Sequence, residues 1–133
     1  MLNKAQLIQE INTKLDPEFI ILFGSFAKGT ARDDSDLDLA YFSSTTLSSY
    51  DRFLLADDLA TIAGREIDLI DLKQADTVLT IQIFSEGLPI YIKNDNEYTR
   101  QKMRAYSMYA TLSEQRAPII NAIKERGSVF GNE

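Results

Sequence analysis

The chain of 133 residues contains no cysteine and no histidine, and each absence restricts its chemistry. Without cysteine there is neither a disulfide framework nor a thiolate zinc site, which fits a cytoplasmic protein. Without histidine the commonest general base is missing, so a proton would pass to a carboxylate, to water or to a metal-bound hydroxide. The sequence also lacks both an apolar run of about 20 residues, the length that crosses a membrane, and an export signal at residues 1–6.

Acidic residues outnumber basic ones, 20 against 14, which gives a net charge of -6. Binding to duplex DNA depends on Lys and Arg side chains that neutralise backbone phosphates. The excess of acid therefore argues against duplex DNA and favours a protein or a small molecule as the partner. The length predicts one domain, residues 1–133, able to bury about two thirds of its unfolded surface.

Short apolar runs alternate with helical patterns, which predicts a mixed α/β domain with a small sheet of about four strands packed by helices. The expected strands are residues 19–23, a strand through residues 36–42, residues 66–72 and an edge strand at 89–92. The expected helices are residues 4–15 after an Asn3 cap, 48–64, 73–85 and 98–126. In the second of these helices, the side chains expected to face inward are Tyr50, Phe53, Leu54 and Leu59.

The composition changes near residue 95, so we expect a catalytic core at residues 1–94 and a C-terminal helical region at 95–127. Residues 128–133 should be frayed. Pro118 should kink or split the last helix, because proline removes a helical hydrogen bond and clashes with the preceding turn. The helix is longer than covering the sheet requires, so it should also offer a stripe that binds a partner.

Residues 24–39 read GSFAKGTARDDSDLDL and follow a predicted buried strand directly. Gly24 and Gly29 allow the backbone to approach an anion closely. Ser25 offers a hydroxyl and an amide together where a helical turn begins. The pattern predicts a turn that binds the phosphates of a nucleoside triphosphate, with Lys28 as a second-rank candidate.

Two aspartates follow this turn at alternate positions of the next strand. Asp36 and Asp38 should project from one face, about 6 to 7 Å apart along the strand. Carboxylates this close repel each other unless a cation lies between them, and hard oxygen ligands select Mg²⁺ or Mn²⁺. Leu37 and Leu39 should point into the core on the other face.

A third acid is expected from residues 66–72, where carboxylates are embedded among apolar residues. Asp68 is the first choice, because a charge buried in the middle of this run would need a metal or a cationic partner. In the absence of histidine it is also the candidate proton acceptor. Asp71 is the fallback, since it should face the opposite side of the strand and could instead cap the next helix.

Other motifs explain these residues less well. An EF-hand loop fails because Leu39 stands where glycine is required and Thr45 stands where the bidentate glutamate is required. A Walker P-loop fails because Lys28 precedes the second glycine instead of following it. A Gly-Ser turn alone is a weak signal, but its combination with paired and third acids on neighbouring strands is specific.

On these residues the chain resembles the nucleotidyltransferases of the DNA polymerase β superfamily, whose signature is a GS turn followed by a D-x-D pair. It is most similar to the minimal nucleotidyltransferases (MNT), through residues 23–40 and through EIDLIDL at residues 66–72. The resemblance extends over residues 1–92. Lys28 stands where this group commonly has arginine, so the positive charge is kept but the fork that grips phosphate is lost.

The resemblance implies a nucleotidyltransferase fold and two Mg²⁺ ions, with Mn²⁺ as the alternative, held by Asp36, Asp38 and Asp68. ATP would rest its outer phosphates on Gly24 and Ser25. Small proteins of this group pair with HEPN-domain ribonuclease toxins. The chain would thus be an antitoxin that transfers AMP from ATP to a tyrosine of its toxin, releasing pyrophosphate, and the acidic surface suits a basic partner.

Two alternatives stay open at this point. A binding module with the same fold would neutralise its partner by steric occlusion, without using its carboxylates. An aminoglycoside-type nucleotidyltransferase would modify a small molecule, although such enzymes usually carry a second helical domain.

Overall fold

The structure is a computed structural model that describes residues 3–125, with side chains described for residues 3–114. The expected frayed end at residues 128–133 lies outside this part of the chain. None of the helices between residues 3 and 125 combines the length and the apolar character that crossing a membrane requires.

In the described residues the centre of the fold is a four-stranded mixed sheet in the order β3-β2-β1-β4. Its strands are β1 (Phe19–Phe23), β2 (Leu37–Phe42), β3 (Ile67–Asp71) and β4 (Leu88–Ile92). Strand β1 runs antiparallel to both β2 and β4, whereas β2 and β3 are parallel. The predicted mixed α/β class and the edge position of the last strand are therefore confirmed.

The helices of the described residues are α1 (Lys4–Leu15), α2 (Ser25–Lys28), α3 (Ser49–Ala63), α4 (Thr77–Glu86) and α5 (Asp95–Glu125). Asn3 caps α1 as expected, because its side chain accepts a hydrogen bond from the Gln6 N–H at 3.1 Å. Ser48 caps α3 in the same way. Helix α4 begins at Thr77 and not at the predicted Lys73, because Asp76 is the cap and accepts from the Leu79 N–H at 2.8 Å.

Helices cover both faces of the sheet, so the core has two parts. On one face, α1 and α3 pack against the sheet through a cluster that includes Leu7, Ile11, Leu55, Leu59, Leu37, Leu39 and Tyr41. On the other face, α4 and α5 pack through a cluster that includes Phe19, Ile21, Ala40, Ile83, Phe84 and Ala105. The alternation of side chains along β2 thus separates Leu37 and Leu39 from Asp38.

The expected inward face of α3 is wrong for three of its four side chains. The exposed side chains are Tyr50 at 68%, Phe53 at 66% and Leu54 at 41%, whereas Leu59 is buried as expected and Leu55 is buried on the same face. Residues 55 and 59 are four apart and share the inner face of α3, which leaves the two aromatic residues on the outer face. Helix α5 continues from Asp95 to Glu125, so it is not split at Pro118, and a kink at this residue stays a prediction.

Replacing Leu39 with alanine should lower the free energy of unfolding by about 2 to 5 kcal/mol, because its side chain is fully buried beneath the strand that carries Asp38. The matched control is Leu54→Ala, at a leucine that is 41% exposed, which should cost less than about 1 kcal/mol. Urea denaturation measures both values. Equal losses for the two variants would contradict the described packing.

Candidate active site

The Gly-Ser turn lies at the end of β1, where Gly24 precedes the short helix α2. Gly24 has a φ of +73°, a conformation that disfavours residues with a Cβ atom. A Cβ atom placed on Gly24 would lie 2.1 Å from Oδ2 of Asp38. Glycine is therefore required at position 24 for two reasons. It permits the positive φ of the turn, and it leaves the space that the Asp38 carboxylate occupies.

Asp38 lies between the two other features predicted from the sequence. In the antiparallel register its Cα is paired with that of Phe23, and in the parallel register with that of Asp68. Paired residues of neighbouring strands project from the same face, with backbones about 4.8 Å apart. The register therefore places Asp38 beside both the Gly-Ser turn and the third acid.

Asp36 lies just before the first residue of β2 and is exposed. Its negative charge still affects Asp38. Burial has the largest effect, followed by the charges of Asp68 and then Asp36, and all three raise the pKa of the Asp38 carboxyl above its usual value. Desolvation and like charges both disfavour ionisation of an acid. The negative charges of Asp68 and Asp36 thus both act on Asp38.

Asp68 differs from the expectation in its burial. It is exposed, and Asp71 is the buried acid of β3 with 3% exposure. Asp71 faces the opposite side of the sheet, as predicted for the fallback, and is register partner to Tyr41. Its Oδ1 accepts a hydrogen bond from the Lys73 N–H at 2.9 Å, so it caps the turn after β3 and not a helix.

The loop before Asp36 is fixed by an arginine that the sequence did not single out. Ser35 Oγ accepts a hydrogen bond from the Arg32 N–H at 2.7 Å. Arg65 Nη1 donates to the carbonyl oxygens of Arg32 and Ser35, at 3.2 and 3.0 Å. The guanidinium also lies 4.7 Å from the ring centre of Phe26 in α2. Arg65 therefore links the loop before Asp36 to α2, the short helix that follows the Gly-Ser turn.

Helix α4 forms a wall of the site that sequence analysis also missed. A cavity of about 220 Å³ is lined by Phe23, Gly24, Lys28, Asp38, Gln82 and Glu86. Across its mouth, Lys28 Nζ lies 3.1 Å from Glu86 Oε1. Gln82 and Glu86 are one helical turn apart and share a face, but no local pattern indicates that this face meets the turn after β1.

A larger cavity lies elsewhere in the described part of the chain, and size alone would favour it as the functional site. A cavity of about 480 Å³ lies between the turn after β3 and helix α5, with Lys73 and Arg104 in its lining. None of Asp36, Asp38 and Asp68 lines it. The smaller cavity is the better candidate, because it combines the glycine turn, a cation and an acid with a perturbed pKa.

The acids fit a hard divalent cation by their chemistry but are not yet arranged around one. Among the side chains described between residues 3 and 114, no three acidic groups are placed so that they could hold one ion together. A joint site would require side-chain rotation. The repulsion that raises the pKa of Asp38 is, however, what a bound cation relieves, and carboxylate oxygens are the ligands that Mg²⁺ prefers.

Comparison with known proteins gives consistent matches. Residues 5–96 match the family model described as Polymerase beta, Nucleotidyltransferase. The chain is 33% identical over 124 residues to the protein adenylyltransferase MntA of Shewanella oneidensis, covering 92% of this chain and 88% of that protein.

Solved structures agree with this match. A crystal structure of a toxin–antitoxin with AMP-PNP aligns with a TM-score of 0.84 and 31% identity, over 92% of this chain and 99% of that one. The MNT antitoxin in complex with the tri-AMPylated HEPN toxin of Shewanella oneidensis aligns with a TM-score of 0.77 and 28% identity, over 92% of this chain and 96% of that one.

Replacing Asp38 with asparagine should stabilise the fold at neutral pH when divalent cations are removed. The pKa of Asp38 in the folded state is raised above its ordinary value of 3.8. Its contribution to the free energy of unfolding is therefore most favourable below pH 3.8 and is lost as the pH rises through the raised pKa. Asparagine carries no charge, so the gain should stay below about 1 kcal/mol for this partly exposed group. It should shrink as the pH falls.

Thermal unfolding of both proteins in EDTA across a pH series measures this difference. Asp57→Asn, at an exposed position of α3, serves as the control and should leave stability nearly unchanged. A pH-independent difference between Asp38→Asn and the unchanged protein would contradict the proposed repulsion.

Proposed function

Since this chain belongs to the Polymerase beta nucleotidyltransferase family, we propose that it is a metal-dependent protein adenylyltransferase. It acts as the antitoxin of a toxin–antitoxin pair and transfers AMP from ATP to a tyrosine hydroxyl of a HEPN-domain toxin, which neutralises the toxin. The similarity to MntA and to antitoxins in complexes with HEPN toxin supports this assignment. The observation that carries it is the contact of Asp38 with the Gly24 turn beside Asp68.

The phosphate groups of ATP are assigned to the turn after β1. Gly24 leaves its backbone open to an anion, and Ser25 supplies a hydroxyl and an N–H at the start of α2. Lys28, at the end of α2, faces the same cavity and offers one positive charge to the outer phosphates. These roles are supported by the shared cavity that joins Gly24 and Lys28 to Asp38.

Asp36, Asp38 and Asp68 would hold Mg²⁺, or Mn²⁺ in its place. A divalent cation supplies charge stabilisation at the α-phosphoryl group and lowers the pKa of a coordinated hydroxyl. The protein contributes the register of β2 with β3, which fixes the backbone positions of Asp38 and Asp68 before ATP arrives.

The transfer forms a bond between the tyrosine oxygen and the α-phosphorus and breaks the bond from that phosphorus to the bridging oxygen of pyrophosphate. The phenolic proton passes to Asp68, directly or through a water molecule. Asp68 suits this role because it is exposed on an edge strand, where the tyrosine of another protein can approach it. Proton acceptance by a carboxylate also agrees with the lack of histidine.

The division into a catalytic core at residues 1–94 and a helical region at 95–127 stays part of the proposal. Tyr98 packs edge-on against Phe19 of β1, so the first turns of α5 belong to the core packing. Farther along, Met103 is 64% exposed and Tyr106 is 42% exposed. These side chains supply the stripe expected to contact the toxin in the cytoplasm, and the net charge of -6 suits a basic partner.

An antitoxin that acts by steric occlusion is the second candidate. It is favoured by one observation, namely that within the described side chains the three acids are not arranged to hold an ion as they stand.

Asp36→Asn and Asp38→Asn should each reduce AMP transfer to the toxin by at least about a hundredfold. Each removes a carboxylate that would hold the divalent cation beside the reacting phosphates. Labelled ATP and the mass of the co-purified toxin measure the reaction, and Asp57→Asn is the control with normal transfer. If Asp38→Asn still silences the toxin without adding nucleotide mass, occlusion is the correct function.

Gly24→Ala should abolish transfer while Gly29→Ala keeps most of it. Both glycines have positive φ, but ψ is -151° at Gly24 and 18° at Gly29, so Gly24→Ala carries the greater backbone strain. They differ also in that a Cβ atom on Gly24 meets Asp38, whereas nothing lies within 4 Å of a Cβ atom on Gly29 among the described residues. Transfer rates and unfolding midpoints of both variants separate the two effects, and equal loss of transfer would contradict the role of the Gly24–Asp38 contact.

A further inference from the structure

One ion pair crosses the mouth of the candidate site. Lys28 Nζ and Glu86 Oε1 are 3.1 Å apart, and the two side chains are 53% and 45% exposed. Both residues line the cavity that contains Gly24 and Asp38. The cation assigned to the triphosphate is therefore already paired with a carboxylate of the protein.

The backbone fixes both ends of this pair. Lys28 is the last residue of α2, and its N–H donates to the Gly24 carbonyl at 3.2 Å. Glu86 is the last residue of α4 and is followed by Gly87, whose N–H donates to the Ile83 carbonyl at 2.9 Å. A Cβ atom on Gly87 would lie 2.4 Å from Cγ2 of Ile21, so the chain after Glu86 lies directly against β1.

The helix that carries Glu86 does not explain the presence of an acid there. A carboxylate at the C-terminus of a helix is unfavourable, because unpaired carbonyl groups give that end a partial negative charge. The last turn of α4, which lies entirely within the described residues, contains no basic residue to offset it. Lys28, on another element, is the charge that does so.

We propose that Glu86 is the resting counterion of Lys28 and that ATP must displace it to engage this lysine. The inference rests on the proposed function, because it assigns ATP to this cavity. Before ATP binds, Glu86 holds Lys28 at the mouth of the site. When the triphosphate enters, Lys28 leaves Glu86 and pairs with the phosphate oxygens. After pyrophosphate leaves, the ion pair between Lys28 and Glu86 forms again. Glu86 is thus a positioning residue that weakens ATP binding.

Glu86→Gln tests this exchange, since glutamine has the same shape and lacks the charge. Titration calorimetry with Mg²⁺-ATP and with inorganic tripolyphosphate should show Kd values about two- to fivefold lower than those of the unchanged protein, the range expected for an exposed ion pair. In AMP transfer to the toxin, KM for ATP should fall by a similar factor while kcat stays constant.

Two further variants show whether the effect passes through Lys28. In a Lys28→Met background, Glu86→Gln should no longer change the Kd for tripolyphosphate. Asp34→Asn removes one negative charge from an exposed turn before β2, and it should leave the Kd unchanged. A gain that persists without Lys28, or an equal gain in Asp34→Asn, would show a general charge effect and overturn the proposal.

The proposal is also overturned if Glu86→Gln binds tripolyphosphate no more tightly than the unchanged protein, or if neither protein binds it. The outcome is separate from that of the proposed function. Tighter binding without AMP transfer to the toxin supports the ion-pair exchange and contradicts the enzyme assignment. AMP transfer with unaltered affinity in Glu86→Gln supports the enzyme and contradicts the exchange.

Discussion

The candidate site depends on a register that forces like charges together. Strand β2 is hydrogen bonded on one side to β1 and on the other to β3, so the backbone of Asp38 cannot move away from that of Asp68 without breaking the sheet. A protein that only needed a stable sheet would gain by replacing one of these acids. Burial and the charges of these acids raise the pKa of Asp38, which makes this part of the fold a candidate functional site.

Apolar packing on the opposite face of the same strands offsets this repulsion. Leu37 and Leu39 are fully buried on either side of Asp38 in the sequence, beneath α1 and α3. Strand alternation thus couples each acid to an apolar neighbour that holds the strand in place. Gly24 adds a local condition, because only a residue without a side chain leaves space for the Asp38 carboxylate.

Sequence reasoning was most successful where the information is local. The cap at Asn3, the helical turn that begins at Ser25, and the burial of Leu37 and Leu39 follow from neighbouring residues, and the structure has all three. It failed where packing between distant segments decides. The burial of Asp71 instead of Asp68 depends on which part of β3 is covered, and the outward position of Tyr50 and Phe53 depends on the face that α3 presents. Arg65 and Glu86 reach the site only through tertiary contacts, so no spacing could indicate them.

The strand order has a consequence for how a newly synthesised chain matures. Strand β1 ends at the Gly-Ser turn, and one of its two neighbouring strands is β4, at residues 88–92. Until the ribosome has released that segment, one edge of β1 has no partner strand, and α4 lacks its packing against α5, which follows β4 in the chain. The nascent polypeptide therefore becomes competent late in translation, and a fragment truncated before β4 would expose an open sheet edge prone to self-association.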